Sequence, residues 1–145
     1  MSRTFVFAAG VVGLVLIAAA PATASAQAST ATTTVCGAPG LQAGLSTRVC
    51  ADITGEQVEV YGRVSLAGPT SPGSPSPLGQ ELFTTLTSEA PAGTLNRRVI
   101  FNSSTVEVRG ISGAIACGST VKASFAVTSY PWSPRPVGLE TTVTC

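Results

Sequence analysis

Histidine is absent from this sequence, and lysine occurs once, as Lys122. Without an imidazole, neither a Ser-His-Asp nor a Cys-His nucleophile can be assembled. A metal site also loses its commonest ligand. The four cysteines, Cys36, Cys50, Cys117 and Cys145, are an even set without Cys-x-x-Cys spacing. They read as two disulfides rather than as zinc ligands or free thiolates. Three pairings are possible, and Cys36–Cys50 with Cys117–Cys145 is favoured because each bridge closes a local loop. No metal and no cofactor is expected. Acid–base work would fall to carboxylates, with Glu56 and Glu59 near one strand start and Glu107 and Glu140 on outward strand faces. Glycoside hydrolysis needs two carboxyls across a cleft, about 5–10 Å apart. Nothing in the spacing singles out such a pair, and solvated strand faces are the ordinary place for these charges. Lys122 and Ser124 share a strand face, the minimum for a Ser-Lys pair. Simple alternation gives the same arrangement on any outward face.

Two segments have the make-up of binding surfaces. The first is Tyr130-Pro131-Trp132-Ser133-Pro134-Arg135-Pro136. Prolines stiffen it, and Tyr130, Trp132 and Arg135 are the residue types that anchor interfaces. Aromatic faces of this kind also stack on sugar rings. The competing reading of Trp132 is a lid over the end of a core. The second segment runs from Gly68 to Pro77 with four prolines. Prolines at that density exclude helix and central strand, so residues 68–80 read as an extended Pro/Ser/Gly loop. It serves either as a docking segment or as a plain surface connection.

The elements that hold these segments alternate with period two. Val58, Val60, Val64 and Leu66 share one face, and Glu59, Tyr61, Arg63 and Ser65 the other. That is the half-buried strand pattern. Shorter runs of the same kind cover Thr33–Cys36, Arg48–Ile53, Leu82–Thr87, Asn96–Asn102, Thr105–Arg109, Val121–Thr128 and Val137–Cys145. Gly37–Gly44 reads as a loop. Gly110–Gly113 reads as a turn or bulge, because the apolar parity changes across it. No segment after residue 26 sustains a helical period. About seven or eight short strands separated by turn signals predict an all-β, antiparallel, Ig-like two-sheet sandwich, stabilised by disulfides.

The chain has 145 residues. Its start orders a positive Arg3, an uncharged apolar run from Phe5 to Ala20, and Ala24-Ser25-Ala26. This is the layout of a secretory signal peptide, residues 1–26, cleaved before Gln27. The run is shorter than a typical membrane span. No cysteine stands at the cleavage point and no twin arginine precedes it, so release by the general export route, without a retained span, is expected. Residues 27–145 then form a single domain, with 27–34 as a loose arm. Beyond residue 26 seven Lys and Arg balance seven Asp and Glu. No basic stripe is present to release counterions, which argues against nucleic acid as a partner. The excess of arginine over lysine, with abundant Ala, Gly, Thr and Val, points to a high-GC bacterial gene.

In style the chain resembles small secreted proteins of actinobacteria. One segment carries a more specific likeness. Cys36-Gly37-Ala38-Pro39-Gly40 followed by Val49-Cys50-Ala51-Asp52 resembles the first disulfide loop of the bacterial subtilisin-inhibitor family. That family's reactive segment is held by its second bridge. Here Cys117 is followed by Gly118-Ser119-Thr120, so no reactive-site residue carries over. The sequence thus predicts a secreted, non-enzymatic binding or cell-surface protein. The alternatives are a secreted protease inhibitor and, third, a small carboxylate-dependent hydrolase. The expected partner is a protein or a cell-wall or polysaccharide ligand, with self-association through strand edges left open.

Overall fold

A computed structural model describes residues 31–69, 71–73, 79–131 and 133–145. The proposed signal peptide, residues 27–30 of the arm, and Trp132 lie outside these residues. So do residues 70 and 74–78 of the proline-rich loop. Among these residues nine strands account for the regular structure: β1 Thr33–Cys36, β2 Gly40–Gln42, β3 Leu45–Thr54, β4 Gln57–Ser65, β5 Gln80–Glu89, β6 Ala92–Phe101, β7 Thr105–Ala114, β8 Thr120–Thr128 and β9 Val137–Thr142.

One sheet runs β1-β3-β4-β7, with β2 also pairing β3, and the other runs β6-β5-β8-β9. Among the described residues all these strand pairs are antiparallel. The links β4–β5, β6–β7 and β7–β8 each cross from one sheet to the other. This alternation is the Greek-key winding of an Ig-like sandwich. The inner faces interlock Val49, Val58, Val60, Val64 and Val108 of the first sheet with Leu82, Leu86, Val121, Phe125 and Val127 of the second. These are the positions that period-two alternation selects, because successive side chains leave a strand on opposite faces.

The structure corrects the sequence reading at three places. Gly37–Gly44 is not wholly a loop, since Gly40–Gln42 forms a short strand against Leu45–Thr47. The arm ends at Thr32, because Thr33 and Thr34 pair with Ile53 and Asp52. Residue 80 belongs to β5 rather than to the preceding loop. Of the two readings of Gly110–Gly113, a turn or a bulge, the structure has the bulge, at Gly110. β7 runs through it, pairing Arg109 with Tyr61 and Ile111 with Val60. The extra residue has φ 145°, a conformation that favours glycine. It lets Val108 and Ile111 both face the core.

Gln42, only 2% exposed, joins the two sheets. Its Nε2 donates to Thr47 Oγ1 at 2.7 Å and to the Phe125 carbonyl at 3.1 Å. Its Oε1 accepts from the Val127 N–H at 2.9 Å and the Arg135 N–H at 3.2 Å. β9 stops pairing β8 at Phe125↔Val137. Beyond that point the Gln42 amide takes the place of a neighbouring strand and satisfies the exposed edge.

Candidate functional site

The outward face of the β6-β5-β8-β9 sheet is built from short polar side chains. The strand registers align them in rows. Thr94, Thr87, Ser124 and Gly138 form one row across all four strands. Asn96, Thr85 and Ala126 form the next, and Arg98, Phe83 and Thr128 the one after. Thr87 and Ser124 hydroxyls share a hydrogen bond of 2.6 Å, and Thr85 Oγ1 donates to Asn96 Oδ1 at 2.8 Å. Because Gly138 has no side chain, its end of the row is low. An open depression of about 810 Å³ lies there, lined by Thr87, Thr94, Ser124, Gly138, Glu89, Lys122 and Glu140 together with the intervening backbone. Lys122 Nζ stands 3.7 Å from Glu140 Oε1.

The opposite end of the same face is apolar. Phe83 is 50% exposed and Ile100 52%. They lie diagonally across the β5–β6 pair, with Arg98 and Glu81 on the other diagonal joined by a 3.1 Å ion pair. The Tyr130–Pro136 segment leaves the sheet here, two residues beyond Thr128, the partner of Phe83. Tyr130 is 97% exposed, and Arg135 is exposed while its backbone N–H is held by Gln42. Trp132 falls outside the described residues.

The outward face of the other sheet carries an ion cluster. Arg109 Nη1 donates to Asp52 Oδ2 and Glu59 Oε2, each at 2.9 Å, and its Nε donates to Glu107 Oε2 at 2.9 Å. Its guanidinium lies 3.7 Å above the centre of the Tyr61 ring, a cation–π contact. Arg109 thereby helps to cover Tyr61, which is 4% exposed although it points away from the core. Thr34 Oγ1 donates to Asp52 Oδ1 at 2.7 Å. Burial pushes the Asp52 carboxyl up, but hydrogen bonds from Thr34 and Arg109 and the arginine charge outweigh it, so its pKa is lowered. Burial and the charges of Asp52 and Glu107 raise that of Tyr61.

The candidate carboxylates therefore separate. Glu59 and Glu107 meet at Arg109, Glu140 stands on the other sheet beside Lys122, and Glu56 sits exposed at the β3–β4 turn. Sequence reasoning missed Asp52 and Arg109 as partners. A hairpin turning at Gly55-Glu56 already places Asp52 opposite Glu59, as the register has it. What hid Arg109 was the bulge, which shifts its pairing to Tyr61. Lys122 and Ser124 share the outward face of β8 and both line the depression.

Both favoured disulfides are present, Cys36–Cys50 and Cys117–Cys145. Two such bridges mark an oxidising compartment, extracellular or periplasmic. The second bridge holds a closed turn, in which the Ser119 N–H donates to the Ala116 carbonyl at 3.1 Å. Among the described residues no group of three His, Cys, Asp or Glu is placed to hold a metal ion. No helix among them is long and apolar enough to cross a membrane. The fold and these faces define a disulfide-bonded, all-β Greek-key sandwich. No protein-family model, curated protein or solved structure matches the chain.

Proposed function

We propose that this chain is a secreted, non-enzymatic binding protein whose binding face is the outward surface of the β6-β5-β8-β9 sheet. The observation that carries the reading is the depression beside Gly138, which opens a row of hydroxyls to solvent on a rigid sheet. Sites built on strands hold their geometry without a cost in ordering, which favours recognition. Export agrees with the disulfides and with the residue order at the chain start. The acids Asp52, Glu59 and Glu107 are engaged by one arginine, which suits a structural role better than proton transfer.

The test is capture from culture medium and cell wall by the exported protein. Gly138→Tyr fills the depression. A Cβ at Gly138 meets nothing nearer than the Ala123 carbonyl oxygen at 3.7 Å, so the sheet tolerates it. Loss of capture in a folded Gly138→Tyr protein supports the reading. Unchanged capture overturns it, as does capture that Trp132→Ala abolishes and Gly138→Tyr leaves intact. That second result moves the site to the aromatic loop.

A further inference from the structure

Resting on that binding face, we infer that its ligand is an extended, uncharged glycan that spans from the Gly138 depression to Phe83. Sugar rings present hydroxyls at their edges and C–H groups on their faces. The sheet offers a match for each. Thr94, Thr87 and Ser124 supply hydroxyls that both donate and accept, as neutral sugar hydroxyls require. Phe83 supplies a half-exposed ring on the same face. Four steps along β5 separate Thr87 from Phe83, about 14 Å at the strand rise of about 3.4 Å. That span exceeds one sugar unit, so a chain is needed to use both ends.

Charge selects among glycans. Within the depression Glu89 and Glu140 face one cation, Lys122, and that cation is shared with Glu140. A phosphorylated, sulfated or uronate polymer would meet net negative charge there. A protein partner fits less well. Interface hot spots centre on large aromatic or arginine anchors. Here the centre of the face holds Thr85, Thr87, Ser124 and Ala126, while Phe83 and Ile100 stand at one end.

Affinity electrophoresis in soluble polysaccharides tests this, followed by calorimetry with oligosaccharides of two to six units. Uncharged β-glucan and xylan are the probes, with alginate as the anionic arm. The expected result is retardation by an uncharged polymer and not by alginate, with affinity rising at least tenfold from disaccharide to hexasaccharide. Phe83→Ala should remove that gain, so that hexasaccharide and disaccharide bind alike. Gly138→Tyr should abolish both, and Thr94→Arg, on an exposed edge-strand position, serves if that variant does not fold. Equal or stronger binding to alginate overturns the inference. So does failure to bind either uncharged polymer, or a length gain that survives Phe83→Ala. If the material captured from the wall through the Gly138 face is destroyed by protease and not by glycosidase, the glycan falls while the binding face stands. If glycan binds equally to both depression variants, the face itself falls.

Discussion

Arg109 shows how one side chain on an outward face can order its surroundings. It neutralises part of three carboxylates and covers Tyr61. Asp52 gains most visibly, with its folded pKa below the ordinary carboxylate value. The linkage has a definite sign. A carboxyl with a depressed folded pKa contributes stability that is whole above its unfolded value, about 3.9. That contribution is lost as pH falls through the lower folded value. Thermal unfolding followed from pH 5 to pH 2 should show a falling Tm with Asp52 intact. Asp52→Asn should lower Tm at pH 5 and flatten the decline below pH 4. An unaltered pH profile in Asp52→Asn would remove this residue from the account. The hairpin half of the cluster was legible in the sequence, because the Gly55 turn sets Asp52 opposite Glu59. The arginine was not, because its pairing depends on a bulge between distant strands.

At the scale of elements, β4 is the strand that alternation describes best, and Gly62 is the interruption in its apolar stripe. The sequence leaves that glycine unexplained. In the fold, the Phe125 ring of the facing sheet lies against it, in the space a Cβ would need. Gly62→Ala should therefore destabilise by overpacking, about 1–3 kcal/mol, read as a fall in the urea midpoint at unchanged m-value. Phe125→Leu in the Gly62→Ala background should recover part of that loss, since contacting residues are not additive. Full additivity of the two changes would refute the packing argument. β2 was hidden for a different reason. Its Gly-Ala-Pro-Gly approach carries loop composition, and the three residues form a strand only because β3 offers a partner and β8 accepts the Gln42 amide.

At the largest scale, the described residues form a sandwich bound at two places by cystines. The Cys36–Cys50 bridge ties β1 to β3 within one sheet, and Cys117–Cys145 ties the chain end to the entry of β8. They span 14 and 28 residues of sequence. Each should contribute about 2–5 kcal/mol, mainly by restricting the unfolded chain. Replacing either pair with alanine should lower the unfolding free energy by that amount, read as a fall in the guanidinium midpoint, and the native protein should show no thiol before reduction. A midpoint unmoved by loss of both bridges would mean that the core suffices alone.

Sequence by itself determined the all-β class, the faces of most strands and the absence of a histidine, and it favoured the cystine pairs by loop economy. These follow from period-two alternation and residue type, which are local properties of the chain. Tertiary structure decided the strand order, the ninth strand, the Arg109 cluster, and which outward face forms a hydroxyl row with a depression. Each of those depends on register between strands far apart in sequence. Register is set by the fit of the two sheets against each other, and no single segment contains that information.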